Sequence, residues 1–234
     1  MQGLLLVDKP KDWTSFDVVN FVRRIVATVE EKKPKNCKVG HTGTLDPQAT
    51  GLLVLLVGKE YTRRATELTK VDKTYEVTMK LGETSTTGDV EGEKIAVSDT
   101  VPTEKAILEA LQQFTGQIMQ VPPAFSAMKI NGQRAYKLAR EGKIVELEAR
   151  PVTILGNKLT SYEYPFVKFT SEVTSGTYIR SLVEDLGKTL TTGAYMSDLR
   201  RTQVGKFSLE NAVTVQDLNV EVLEKRLQKL DIAN

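Results

Sequence analysis

The sequence predicts an α/β fold (α+β in its ordering) in which a mixed, largely antiparallel central sheet is flanked by helices. Three observations point there. Lys73–Leu81 alternates without a fault, with Tyr75, Val77, Met79 and Leu81 on one side and Thr74, Glu76, Thr78 and Lys80 on the other. Ile179, Leu182, Val183, Leu186 and Leu190 recur at helical spacing. Strands and helices are intermixed along the chain without the strict alternation that builds a parallel sheet.

Taken in order, residues 3–7 read as a buried strand. Thr14 and Ser15 cap a helix whose apolar face is expected to be Phe16, Val19, Phe21, Val22 and Ile25. A polar loop over 30–38 precedes a turn-rich loop over 40–51, and 52–57 is apolar throughout, as a strand buried on both faces is. After the Lys73–Leu81 strand comes a polar loop over 82–92. Pro102-Thr103 then opens a helix expected to turn Ile107, Leu108, Leu111 and Phe114 inward. Residues 117–143 read as irregular, with Pro122-Pro123 and a short helix near 135–141. Strands are expected over 146–160, 164–174 and 194–203, with helices over 179–190 and 220–230.

The chain has 234 residues, 40% apolar and 26% charged, with a net charge of +2, which is ordinary for a globular protein that buries a real core. One cysteine, Cys37, excludes an internal disulfide, and with a single histidine, His41, it argues against a zinc site. No metal is expected. The N-terminus lacks a basic segment ahead of an apolar one, and the run 52–57 is far too short to span a bilayer, so a cytoplasmic protein without a membrane partner is expected. Gly58-Lys59 is followed by Glu60 and lacks the upstream glycine of a phosphate-binding loop, which excludes that route to nucleotide hydrolysis. Two cationic clusters stand out: Lys32, Lys33, Lys35 and Lys38, and then Lys129, Arg134, Lys137, Arg140 and Lys143. Each is either solvated surface or part of a nucleic-acid footprint.

The most informative stretch is 40–51, Gly-His-Thr-Gly-Thr-Leu-Asp-Pro-Gln-Ala-Thr-Gly. It sets a carboxylate, Asp46, in a glycine-rich loop just before a buried strand. Pro47 biases Asp46 toward extended backbone, so its direction is set locally. On residue types alone, a turn aspartate that accepts local backbone hydrogen bonds is the plainer account.

Residues 40–53 closely resemble the aspartate motif of TruB-type pseudouridine synthases, and the likeness continues in order from about residue 3 to 218. Lys9-Pro10 with Thr14-Ser15 resembles the family's N-terminal motif, Lys73-Thr74-Tyr75 its tyrosine strand, and Thr86-Thr87-Gly88-Asp89 the turn that follows. The run from Gln120 through Val121-Pro122-Pro123-Ala124-Phe125-Ser126-Ala127-Met128 to Lys129, with Gly132 and Arg134-Ala135-Tyr136, resembles the loop that grips the T arm of tRNA. Gly176-Thr177-Tyr178-Ile179-Arg180-Ser181-Leu182 resembles the arginine motif, and Leu199-Arg200-Arg201-Thr202 with Gly205 and Phe207 the final core segment.

The resemblance implies a pseudouridine synthase fold and a cofactor-free isomerase that turns the T-loop uridine of tRNA (uridine-55) into pseudouridine. Asp46 inherits the essential catalytic role, whether by attack on C1′, attack on C6 or removal of the C2′ proton. An ionised carboxylate in a dry pocket needs a counter-charge. Arg180 is the natural choice, because guanidinium stays charged and sits where a helix dipole disfavours a cation. The competing account of Arg180 is a surface pair with Glu184. Tyr75 is expected to stack on the everted uracil, and His41 to fill the gap it leaves; the competing accounts are core packing for Tyr75 and a capping or solvent role for His41. Leu199 is expected to line the uracil pocket, with plain core packing as the competing account, and Lys9 and Asp89 are expected in the substrate site, Asp89 by supporting its loop. The T stem-loop would be gripped by Lys129, Arg134, Tyr136, Lys137 and Arg140.

The expected organisation is a catalytic domain over 1–218, with a thumb-like loop about 120–143, then a short helical tail over 219–234 in place of a full C-terminal RNA-binding module. A monomer is expected. The likeness departs at Asp12, where the family often has glycine; aspartate tolerates left-handed backbone better than most residues. Two other functions compete with this one: a tRNA-binding folding chaperone with modification secondary or absent, and a glycoside hydrolase using Asp89 as a second carboxylate.

Overall fold

The computed structural model describes residues 1–126, 128–130, 132–143 and 147–229, without the side chains of 129, 130, 134, 136, 139 and 140. In chain order the elements are β1 (Gly3–Lys9), α1 (Ser15–Val29), β2 (Val39–His41), β3 (Thr50–Val57), α2 (Lys59–Arg63), α3 (Ala65–Thr69), β4 (Lys73–Leu81), β5 (Glu83–Ser85), β6 (Lys94–Ala96), α4 (Glu104–Gln113) and β7 (Gly116–Gln120). They continue with β8 (Lys129–Ile130), β9 (Gln133–Arg134), α5 (Ala135–Arg140), β10 (Arg150–Glu163), β11 (Phe166–Val173), α6 (Ile179–Thr189), β12 (Ala194–Val204), β13 (Phe207–Ser208), β14 (Val213–Thr214) and α7 (Val220–Arg226). The chain forms two compact units: residues 1–75 with 199–234, and residues 76–198.

The first unit is organised by β1 and β3, which pair antiparallel from Gly3↔Val57 to Lys9↔Gly51. Its sheet is mixed, since β14 joins β1 and β12 joins β3 in parallel, while β2 runs antiparallel along β3. Successive residues of a strand face opposite ways, so an unbroken apolar run requires cover on both sides. That cover is present. Leu5, Val7, Leu53, Leu55 and Val57 pack with Val18, Val19, Val22 and Val26 of α1. Leu4, Leu6, Leu52, Val54 and Leu56 pack on the other face with Val204, Tyr61, Leu68 and Phe207. Each buried leucine contributes roughly 1.5–3 kcal/mol.

Helix α1 begins at a capping box in which Thr14 and Asp17 exchange side-chain-to-backbone bonds. Its buried stripe differs from the expected one: Phe16 is 57% exposed, with the Arg23 guanidinium 5.6 Å from its ring centroid. The valines at 18, 19, 22 and 26 already complete a helical stripe, which turns position 16 outward. Just before the helix, Asp12 adopts φ 65, the left-handed backbone expected where the family often has glycine.

In the second unit β10 pairs antiparallel with both β11 and β7, and α4 and α6 supply the helical cover. Helix α6 buries Ile179, Leu182, Val183 and Leu186 as its spacing predicts. Leu108 is 47% exposed, because α4 buries Ile107, Ala110 and Leu111 instead. The reading of 117–143 as irregular missed β7. Its alternation is faint, since it pairs along one side only and leaves Met119 64% exposed. The polar loop over 82–92 likewise holds a short strand, β5, paired with β6. The expected helix over 220–230 is shorter as observed, and Leu230, like Glu146, lies outside the described residues.

Candidate active site

The loop over 40–51 belongs to the first unit, and three side chains hold it by its backbone. Lys9, with none of its surface exposed, donates from Nζ to the Pro47 carbonyl at 3.1 Å and to those of Pro10 and Trp13 at 2.9 and 2.6 Å. Ser15 Oγ accepts from the Leu45 amide at 2.8 Å and donates to the Leu45 carbonyl at 3.0 Å. Arg201 Nη2 donates to the Gly43 carbonyl at 3.0 Å, and its Nε to the Leu52 carbonyl at 2.7 Å. The Asp46 carbonyl accepts from the Ala49 amide at 3.1 Å, closing the turn that presents the half-buried Asp46. The backbone on both sides of Asp46 is therefore fixed.

Gly51 lets the loop rejoin the sheet. At φ 98 it lies beside Arg201 in the parallel β3–β12 pairing, and a Cβ there would fall 2.3 Å from the Arg201 carbonyl oxygen. Lys73 and Arg201 approach Gly43, since a Cβ on that glycine would lie 3.6 Å from Lys73 Cε and 3.5 Å from Arg201 Nη1. Residues two apart on a strand share a face. Tyr75 therefore stands on the face of β4 that carries Lys73, and Leu199 on the face of β12 that carries Arg201. Tyr75 and Leu199 are both buried.

These cations feel one another. Burial brings the Lys9 ammonium down to about 8, against the pull of the nearby Asp46 and then Asp12 carboxylates, and Arg201 adds to the fall. Lys73, whose Nζ donates to the Thr69 and Val71 carbonyls, is also brought to about 8, by burial first and Arg201 second. His41 is held below its ordinary value by burial and then by Arg201, so its imidazole is neutral at physiological pH.

In the second unit, Arg180 occupies the first turn of α6 and is 7% exposed. Its Nη2 donates to the Phe125 carbonyl at 2.9 Å and its Nη1 to the Thr87 carbonyl at 3.2 Å. Nη1 also stands 3.7 Å from Asp89 Oδ2. Asp89 Oδ1 accepts from the Thr87 hydroxyl at 2.5 Å and the Glu91 amide at 3.0 Å, within its own turn. Gln120 and Ser181 tie the proline segment to the same helix end. The Gln120 side chain bonds both backbone groups of Tyr178, and Ser181 Oγ donates to the Val121 carbonyl at 2.8 Å.

Lys9, His41, Asp46, Tyr75 and Leu199 thus fall in the first unit, and Asp89 and Arg180 in the second. Lys137 is exposed on α5. The side chains of Lys129, Arg134, Tyr136 and Arg140, and the whole of Ala127, lie outside the described residues. Ser15, Lys73, Gln120 and Arg201 stand inside the quoted motifs, but the sequence assigns none of them an individual role. For Lys73 and Arg201 a signal existed: each is a cation at a strand position whose parity matches a buried neighbour, Tyr75 or Leu199. Among the described residues, no three His, Cys, Asp or Glu side chains come together as metal ligands, and no helix is long and apolar enough to cross a membrane.

Residues 30–179 match the TruB family pseudouridylate synthase N-terminal domain, and residues 180–231 match the tRNA pseudouridylate synthase B C-terminal domain. A protein named tRNA pseudouridine synthase B from Arthrobacter sp. (strain FB24) is 46% identical over 96% of this chain and 73% of its own length. One of the same name from Aeromonas salmonicida (strain A449) is 45% identical over 93% of this chain and 66% of its own. Among solved structures, a chain of a Cbf5-Nop10-Gar1 complex superposes with a TM-score of 0.70 at 31% identity, covering 92% of this chain and 53% of its own. A chain of an H/ACA RNP bound to a substrate RNA containing 2′-deoxyuridine gives 0.67 at 28%, covering 95% and 55%. This chain spans about half the length of those two.

Proposed function

Since the chain belongs to the TruB family of pseudouridylate synthases, we propose that it isomerises uridine to pseudouridine in tRNA, at the T-loop uridine, with Asp46 as the essential group. The observation that carries this reading is the bracing by Lys9, Ser15 and Arg201 of the backbone at Gly43, Leu45, Pro47 and Leu52, on both sides of Asp46. A turn aspartate with a purely local role would not need its loop clamped from residues 9, 15 and 201.

The reaction breaks the N1–C1′ bond, turns the uracil and joins C5 to C1′; C5 loses a proton and N1 gains one. Nothing is oxidised or reduced and no group enters, so no cofactor is needed. Attack on C1′, attack on C6 and removal of the C2′ proton all require an ionised, aimed carboxylate. Arg180 is assigned as its counter-charge. The arginine is buried at a helix start that disfavours a cation, and carbonyls and Asp89 fix its guanidinium.

The target base lies inside a folded loop and must be everted. Tyr75 is assigned as the shelf on which it stacks, at ~1–3 kcal/mol, with its hydroxyl assisting loss of the C5 proton. Leu199 lines the pocket, and neutral His41 fills the vacated space in the T loop. Lys9 serves the substrate site by holding the Asp46 loop. Lys129, Arg134, Tyr136, Lys137 and Arg140 are assigned to the T stem-loop, where cations meet phosphates. The protein acts as a monomer in the cytoplasm.

The test is to incubate the protein with unmodified tRNA transcript, without cofactor, and to map pseudouridine. Product at the T loop is expected, and its absence there refutes the reading. Asp46→Asn should abolish product while keeping tRNA affinity; a folding chaperone would keep its whole activity. Release of free uracil would instead mark a glycoside hydrolase.

A further inference from the structure

We propose that Arg201 is a positioning residue of this reaction, fixing the direction of Asp46 by tying the two ends of its loop together. The inference rests on the assignment of Asp46 above. Gly43 precedes Asp46 by three residues and Leu52 follows it by six. One guanidinium bonds the carbonyls of both, from Nη2 and Nε respectively. The Arg201 backbone is fixed as well, because it pairs with Gly51 so closely that only glycine fits opposite its carbonyl. An arginine anchored at both ends and bridging the loop's own ends leaves Asp46 little freedom to swing.

A purely structural role fits the energetics poorly. Arg201 is 2% exposed, and among the described residues its hydrogen bonds run to carbonyls and no carboxylate forms an ion pair with it. Buried charge in that setting is expensive, and an apolar side chain of similar volume often serves stability as well or better. The same guanidinium also makes it harder for Lys9, Lys73 and His41 to carry charge. A fold keeps such an arrangement where the geometry it enforces is used. That geometry needs arginine in particular, since two donors in a rigid fork reach two carbonyls and an ammonium cannot reproduce the fork.

Arg201→Lys and Arg201→Met test this, with three readouts: single-turnover rate at saturating tRNA transcript, tRNA Kd, and melting temperature. Arg201→Lys keeps the charge and should slow the single-turnover rate roughly 10- to 100-fold, the scale expected for a displacement of about 1 Å. Its tRNA Kd should stay within about threefold, because Arg201 presents almost no surface to RNA. The defect should persist well below the melting temperature, whereas a merely structural weakness would recover there. A wild-type rate in Arg201→Lys, or a loss seen in Kd alone, overturns the proposal. Should Arg201→Met not fold, Arg201→Lys decides. Asp46→Asn in the same assay separates the two claims: if it retains turnover, the reading of Asp46 fails, and if it is dead while Arg201→Lys is normal, only the positioning role fails.

Discussion

Two turns in this protein each centre on one aspartate, and they differ in what that aspartate contributes to the hydrogen bonding of its own turn. In the turn around Asp89, the carboxylate takes part in the holding: it accepts from the Thr87 hydroxyl and the Glu91 amide and faces Arg180, while Arg180 bonds the Thr87 carbonyl and Lys94 those of Asp89 and Val90, standing 4.8 Å over the Tyr195 ring. In the loop around Asp46, side chains from elsewhere hold the backbone, at Gly43, Leu45, Pro47 and Leu52. The Asp89 carboxylate thus belongs to its turn's own hydrogen bonding, whereas the Asp46 loop is braced through its backbone from residues 9, 15 and 201. This difference weighs against reading the two acids as the matched pair of a glycoside hydrolase, in which both would face the scissile bond.

The sharpest way to break that contrast is to neutralise each acid without changing its shape. Asp46→Asn should lower the single-turnover rate by at least about 10⁴-fold, the scale of losing an essential catalytic group, with the tRNA Kd little changed. Asp89→Asn can keep both accepted bonds at Oδ1, but it loses its charge and turns an amide NH2 donor toward the Arg180 guanidinium. Its rate should fall roughly 10- to 100-fold, through a less firmly held Arg180, and its stability by about 1–3 kcal/mol. Equal losses in the two variants, measured side by side, would erase the distinction between them.

How much of this was legible in the sequence follows from how local each interaction is. The Asp46 loop announces itself through adjacent residues, glycines and a proline against an apolar strand, and α6 and β4 through their periodicity. The braces do not, because Arg201 and Gly43 lie 158 residues apart. Their only local trace is a cation at a buried-parity strand position. Phe16 and Leu108 were read inward because each sits at the margin of an apolar stripe; burial there is decided by what packs opposite, which periodicity does not contain. The edge strand β7 was missed for a related reason, since a half-covered strand dilutes the alternation.

A smaller effect sharpens the contrast from the side of the brace. Ser15→Ala removes one hydroxyl that both accepts from and donates to Leu45, leaving a buried amide and carbonyl without their partner. A loss of about 1–3 kcal/mol in denaturant unfolding is expected, with a rate loss no larger than that of Arg201→Lys. If Ser15→Ala slowed the reaction as much as Asp46→Asn, the hydroxyl would itself touch the reacting atoms and the distinction between brace and acid would have to be redrawn.

The cationic floor of the loop supplies the last and smallest test, and its sign follows from linkage. Lys73 has its ammonium at about 8 in the fold, against 10.5 in an unfolded chain. At pH 7 both states are protonated, and folding bears the full cost of burying the charge. Between 8 and 10.5 the folded protein sheds the proton while the unfolded chain keeps it, so the unfolded state binds more protons and stability rises with pH. Lys73→Met lacks this gain. Measured by urea unfolding, the stability of wild type relative to Lys73→Met should therefore increase by on the order of 2 kcal/mol from pH 7 to pH 10. A difference that stays flat, or moves the other way, would mean the ammonium is solvated in the fold. The close packing of Lys73 and Arg201 around Gly43 would then be looser than the geometry of the loop requires.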